Sequence, residues 1–519
     1  MLSLMMILGY FCIMKLRLHS FITIFMMLSG LIYGQTAQRT VIHIERAQTQ
    51  QYDARLGKDI ERLIGNVILR QDSTRFYCDS AHLNQRTRNF DAFGRVHIDV
   101  NDSLDIYGNR LFYNGETRVA EMFGDVKLVD TPTVLETQYL VYNRISGMAW
   151  YPDQGKIISE ENTLTSRKGY YDTRLKEFYF RDDVVLTNPE HTAYSDTMVY
   201  NTRTEIAWFY GPTIIRGEDN TIYCEYGWYD TRLDQGHLSR RASIWSQEQT
   251  LSGDSLFYDR ATGFGIAKGN VVVTDTLNKM LVKGKTGRMW EDIGKSYITG
   301  MAQAITYDDK DSLYMHADTL FLYFDKEKKA RSMFAYYGVK FYRADIQGKC
   351  DSLAYLMSDS TIRMYHDPVL WSKENQITSD SMHIAIVNQQ IDSLILYNAA
   401  FIVSRDTIKG FNQIKGKNMI GYFFDNELVR VEVNGNAETI YWVREEDATL
   451  IGIDVAKTSN MSIRLQNNEV QSINYKQQPN QVMFPEKELP EEQRKLKGFR
   501  WLEEKRPMNR LDIFRRDEH

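Results

Sequence analysis

The chain is poor in the residues that build reactive or cross-linked sites. It has four cysteines in 519 residues, and one of them, Cys12, lies in the apolar N-terminus. Its histidines are scattered, with no HExxH pair and no spacing that would assemble a metal centre. Nothing resembles a nucleophile elbow or a catalytic triad, and the carboxylates do not stand out from their neighbours. Gly284-Lys285-Thr286 ends like a phosphate-binding loop, yet Lys279 stands where the leading glycine belongs and no helical pattern follows. These absences argue against an enzyme, and no cofactor or metal is expected. Proline is also scarce: four of the nine lie at or beyond Pro479, so the long middle of the chain is almost free of strand breakers.

Long apolar runs are missing after residue 34, which leaves no candidate for a membrane-spanning helix. Before that point, Met1 to Gly34 has no acidic residue, carries Lys15 and Arg17 ahead of the apolar stretch Phe21 to Leu31, and ends in small residues. It reads as a secretory signal peptide over 1–34, cleaved near Gly34-Gln35. The mature chain then has 61 Lys and Arg against 68 Asp and Glu, a net charge of −7 that disfavours nucleic acid as a partner.

What the sequence does have is a repeated phrase. FYCDSAHLN, IYGNRLFYN, LETQYLVYN, AYSDTMVYN, IYCEYGWYD and LSGDSLFYD align on a small central residue. Its copies fall at Cys78, Gly108, Thr137, Ser166, Ser195, Cys224, Gly253, Gly284, Ala317, Cys350, Ser379 and Gly416, in steps of 29 to 37 residues. A period of this size belongs to a stacked repeat, in which each unit buries its apolar face against its neighbours.

Each unit holds two strand-like phrases. One ends in alternating large residues and then Asn or Asp, as in Leu111-Phe112-Tyr113-Asn114. The other opens on a Gly-Asn or Gly-Asp turn signal, as in Gly124-Asp125-Val126-Lys127-Leu128. Alternation places Val126 and Leu128 on one face and Lys127 on the other. No amphipathic helix precedes the tail. After about Tyr475 the pattern stops, and 476–519 reads as a charged, proline-containing tail with one short helix around Glu491 to Glu504. Phe499 and Trp501 in this tail could dock on a partner or pack on their own domain.

Cys78, Cys224 and Cys350 all occupy the small-residue slot, filled elsewhere by Gly, Ser, Ala and Thr, and lie several units apart. They are expected to be free thiols too distant to pair. The Asp and Asn residues at strand ends fit turn chemistry better than calcium binding, because no glycine-rich nonapeptide accompanies them.

In its opening phrases the mature chain resembles the OstA/LptA-like family of periplasmic lipopolysaccharide-transport proteins. The phrases are Ile42-His43-Ile44-Glu45, then Gly65-Asn66-Val67-Ile68-Leu69, then Phe76-Tyr77-Cys78-Asp79-Ser80-Ala81-His82-Leu83. The same grammar continues to about residue 475. The resemblance implies an all-β fold over 35–475, an elongated V-shaped β-jelly roll of stacked antiparallel strands with an apolar groove between two sheets. It implies a periplasmic location, with outer-membrane association, and a role in lipopolysaccharide transport and outer-membrane assembly. In that family the groove holds lipid A acyl chains, and members meet other transport proteins at the inner and outer membranes by edge-strand stacking.

Carried onto this chain, the inward column would be Val67, Leu69, Val96, Ile98, Val126, Leu128, Val184, Leu186, Val271, Val273, Val339 and Phe341. Burying acyl chains against it would contribute about 0.8 kcal/mol per CH₂. Two alternatives stand beside this: the column fills a dry core, or the chain is an exported β-solenoid, either a scaffold or a polysaccharide binder. In the latter case sugars would stack on the column Tyr113, Tyr142, Tyr171, Tyr200, Tyr229 and Tyr258, if it is exposed.

Overall fold

The computed structural model describes residues 41–517, apart from 53–56, 102–103, 219, 247, 308–310, 328, 388–389, 407, 426, 446 and 467–468. The expected signal peptide lies outside the described residues. Contacts divide the chain into two compact units, one reaching residue 160 and including 170–174, the other made of 161–169 and everything from 175 onward. Both are built of antiparallel β-strands, the all-β class that the repeat predicts. Among the described residues the only helical segments are three short 3₁₀ turns, and no helix is long and apolar enough to cross a membrane.

In the first unit Ile60–Gln71, Thr74–Asn84, Asn89–Asn101, Leu104–Asn114, Val119–Asp130 and Thr133–Asn143 pair each with the next. In the second unit the same meander runs from Glu177–Thr187 to Ile346–Leu356. Beyond it the long strands give way to shorter pieces such as Thr361–Tyr365 and Val369–Ser372.

The Gly-Asn and Gly-Asp signals are not turns between strands, which corrects the sequence reading. They lie in mid-strand. Gly65 and Asn66, Gly124 and Asp125, and Gly269 and Asn270 all have positive φ, and the pairing register slips across each pair. Two consecutive left-handed residues make a bulge that bends the strand. Each long strand is therefore shared between two half-sheets. Segments such as Val67–Gln71 and Thr74–Cys78 form sheet I, and Ile60–Ile64 and Ser80–Asn84 form sheet II.

The small-residue slot lies on the partner strand, opposite the bulge: Val67 faces Cys78, Val126 faces Thr137, and Val339 faces Cys350. There is little room at that point. A Cβ on Gly108 would come within 2.6 Å of Met122 Cγ, and one on Gly284 within 2.7 Å of Ile298 Cγ1. On this partner strand the inward positions shift phase by one at the slot, so Ile106 and Gly108 share a face with Leu111 and Tyr113, not with their neighbours.

The real turns follow the strand-end Asn and Asp residues. Asn114 Oδ1 accepts the N–H groups of Glu116 and Thr117, both at 3.0 Å, and Asn201 Oδ1 those of Arg203 and Thr204, both at 2.9 Å. This is the turn chemistry read from the sequence.

Residues 480–517 pack on the second unit. Asn480–Phe484 adds a strand beside Leu450–Gln466, and the remainder crosses the outer face of sheet I in single 3₁₀ turns at Glu491–Arg494, Glu503–Lys505 and Asp512–Phe514, in place of the one short helix expected. Phe499 and Trp501 lie on their own domain, their rings 5.2 and 5.1 Å from that of Phe411. Leu489 and Leu496 close a cluster with Phe401, Val403, Ile440, Trp442 and Ile453.

Candidate functional site

All twelve sequence-selected residues lie on inward faces. Val67, Val96, Val126, Val184, Val271 and Val339 follow the bulges and are buried against the slot strand. Leu69, Ile98, Leu128, Leu186, Val273 and Phe341 stand two residues further along, toward the free edge of sheet I. Lys127 points outward and pairs with Glu136 at 2.9 Å.

Pairing joins these outer positions into a row across sheet I within each unit. In the first unit it runs Leu69, Phe76, Ile98, Ile106, Leu128, Leu135 and Ile157. Every member is at most 3 % exposed. Large rings from both half-sheets fill the space beneath: Phe76, Phe90 and Tyr113 have centroids 4.6 to 5.1 Å apart. The two free edges are also tied together. Gln71, at the edge of sheet I, donates to the Gly115 carbonyl at 2.9 Å and accepts from the Tyr113 hydroxyl at 2.5 Å. Arg144 donates to the Gln71 carbonyl at 3.1 Å, and the Tyr171 hydroxyl to Asp130 at 2.6 Å. Burial raises the Tyr113 phenol pKa, with Arg144 acting in the opposite direction. Here the predicted column lines a filled, hydrogen-bonded core.

The second unit differs. Its row runs from Leu164 through Leu186, Ala193 and Ile215 to Ile222, Ile244, Leu251, Val273 and Val282. From Leu186 to Val282 every member except Ala193 is half-buried. On the facing half-sheet, Gly236 and Gly265 stand where the first unit has Phe90, and Gly227 and Gly287 where it has Leu111. The Tyr229 ring lies over Gly236, where a Cβ would meet Tyr229 Cδ2 at 3.3 Å. The result is an apolar trough whose floor is the bulge line.

Over this stretch the ion pair from Arg260 to Glu190, at 2.7 Å, joins the two edges from an exposed position. At the far end of the unit the edges meet again, where the Tyr475 hydroxyl donates to Asp454 at 3.3 Å and the inner row at Leu370 and Ile377 is buried. Of the sequence-selected residues, Leu186 and Val273 line the half-open stretch directly. Ile222, Leu251 and Val282 were missed, although a signal existed: each stands two residues before its slot, the position held by Phe76, Ile106 and Leu135 in earlier units.

The tyrosine column is not a sugar platform at its start. Tyr113, Tyr142, Tyr171 and Tyr200 are buried, and Tyr229 and Tyr258 are half-buried on the trough side. Cys78, Cys224 and Cys350 are free and buried, and burial pushes their thiol pKa values up to about 12, 11 and 12. Among the described residues no three His, Cys, Asp or Glu side chains gather to hold a metal ion.

Residues 39–196 match the family model of the OstA-like proteins. No curated protein sequence matches the chain. Among solved structures it is similar to LptH of Pseudomonas aeruginosa, the LptA homologous periplasmic component of a lipopolysaccharide transport device, at 17 % identity over 21 % of this chain and 82 % of that one. The TM-score of 0.20 is too low for that likeness to carry weight.

Proposed function

We propose, from the OstA-like match over 39–196 and the half-open trough between Leu186 and Val282, that this protein holds the acyl chains of lipopolysaccharide in its second unit and takes part in lipopolysaccharide transport in the periplasm. The observation that carries the reading is the change along the inner row, from complete burial in the first unit to half-burial between Leu186 and Val282 of the second. A core that excluded water for stability alone would be sealed throughout. Instead, consecutive apolar side chains remain accessible, and each methylene laid against them contributes about 0.8 kcal/mol. No chemistry is required of the site. In this reading the first unit is a closed scaffold, and Val67, Leu69, Val96, Ile98, Val126 and Leu128 support structure without touching lipid. Neighbouring transport proteins would join by strand addition at the free edge of Asn480–Phe484, whose residues are largely exposed.

Photocrosslinking in cells tests the proposal. A photoreactive residue at Ile222, Leu251 or Val282 should yield lipopolysaccharide adducts, while one at Ile98 or Leu128 should yield none. Adducts of equal yield from both groups, or from neither, would reject it.

A further inference from the structure

The outer face of sheet II in the second unit carries a continuous line of aromatic rings. Trp208, Trp228, Phe257, Tyr297 and Phe321 each lie between two inward residues of their strands, as Trp228 does between Gly227 and Tyr229, so alternation sends them outward. Trp208 and Trp228 have centroids 6.3 Å apart, and Trp228 and Phe257 6.5 Å. Phe264 continues the line at 6.5 Å from Phe257 and 5.7 Å from Trp290, which is 5.8 Å from Tyr297. Tyr297 in turn is 5.4 Å from Phe321. All are half-buried, each keeping part of its ring open to water. At one strand per 4.8 Å, the line extends about 34 Å across eight strands.

Aromatic rings are costly to leave even partly in water, and a contiguous outward-facing set of them marks an interaction surface. Two further features describe its partner. Lys268, Arg288 and Lys295 stand among the rings on the same face and make no ion pair among the described residues; Lys295 Nζ lies 5.2 Å from the Phe321 ring centroid. Beside the rings runs a row of hydroxyl side chains, Ser239, Ser255, Thr286, Thr299 and Thr319, interrupted only by Lys268. Ser239 donates to the Tyr226 carbonyl, Thr299 to the Asp318 carbonyl and Thr319 to Thr299, which leaves hydroxyl oxygens to accept from a ligand. Flat apolar faces, hydroxyl hydrogen bonds and unpaired cations in a straight line suit a linear chain of pyranose rings that carries negative charge. A single-stranded nucleic acid would also use rings and cations, but it carries a phosphate at every nucleotide, and three cations spread over eight strands are too sparse to follow such a backbone.

We propose that this ribbon is a binding site for an anionic polysaccharide, separate from the trough on the other face of the same strands. The inference does not depend on the lipid reading.

Electrophoresis of the full chain in native gels containing polygalacturonate, dextran or neither tests it. Polygalacturonate should retard the protein and dextran should not. W228L combined with W290L, and separately R288Q combined with K268Q, should each weaken retardation at least tenfold while leaving the thermal midpoint within a few degrees of wild type. K127Q, on the outer face of the first unit, should change nothing. Absence of retardation, or retardation that survives both double substitutions, would overturn the proposal. Equal retardation by dextran would remove the anionic requirement, and tighter binding of an oligothymidylate lost in the same variants would assign the ribbon to nucleic acid.

Discussion

The side-chain oxygen of Gln376 accepts the N–H of Leu502 at 2.7 Å, from a strand 126 residues earlier in the chain. The amide nitrogen of the same side chain donates to the Arg500 carbonyl at 2.8 Å, so one buried glutamine closes around a single residue of the tail. Gln413 repeats the arrangement with Leu496 and Arg494 at 2.9 and 2.8 Å. Gln376→Leu should leave these tail groups unpartnered at a cost of about 1–3 kcal/mol of local stability. Amide hydrogen exchange of 491–505 should quicken accordingly while the strands of the first unit exchange as before. Unchanged exchange in the tail would show that its apolar contacts alone hold it.

Tail docking should also depend on pH. His316 packs 4.7 Å from the Phe514 ring. Burial lowers its pKa, opposed by the bond to the Ala302 carbonyl and by Asp318, and aided by Arg516 and Lys340. A base whose folded pKa is depressed gives its full stability above the ordinary unfolded value, about 6.5, and loses it as pH falls below that value. Proteolytic release of the tail should therefore speed up between pH 7 and pH 5, and His316→Gln should flatten that dependence. An equal slope in the variant would place the titrating group elsewhere.

The bulges should be intolerant of side chains. Gly269 has φ +69°, and a Cβ there would lie 2.2 Å from Asp254 Oδ2. Gly269→Val should destabilise the second unit by about 1–3 kcal/mol through backbone strain and displacement of Asp254. Urea unfolding followed by tryptophan fluorescence would measure it, since most of the tryptophans lie in that unit. A loss below a few tenths of a kcal/mol would mean that the bulge can relax.

Two leucines of the inner rows should behave differently. Leu128 is fully buried and Leu251 half-buried. Leu128→Asp places a carboxylate in a dry core and should cost roughly 3–5 kcal/mol, enough to unfold the first unit at modest urea. Leu251→Asp should cost less than half as much, because the charge can reach water. Similar losses at both positions would show that the trough is as closed as the first unit's core.

Much of this architecture could be read from the repeat. The period announced stacked strands, Asn114 and Asn201 announced their turns, and the mixture of Cys, Gly, Ser and Thr in one slot announced a tight place. Gly124-Asp125 misled because two left-handed residues are equally the signature of a hairpin and of a bulge; only the partner strand distinguishes them. Exposure was also illegible, since Leu128 and Leu251 both stand in an inner row and differ through distant positions, which hold Phe90 and Leu111 in the first unit and glycines in the second. The tail's docking depends on Gln376 and Gln413, two polar residues on the outward face of their strands, where alternation predicts solvent. The external ring line escaped notice because its members occupy the positions between those of the more regular tyrosine column.

A stack of near-identical strands risks mispairing. Sliding one strand by two residues preserves every inward and outward assignment, so alternation alone does not forbid it. The phase shift at the slot does. If Thr133–Asn143 slid by two against Val119–Asp130, Thr137 would no longer face the bulge, and a large side chain would enter the space meant for a small one. Each strand thus carries its own zero mark. What the mark cannot prevent is the exchange of one whole repeat for another, so misfolded forms of this protein should be those that skip entire units and keep correct register within every pair that forms.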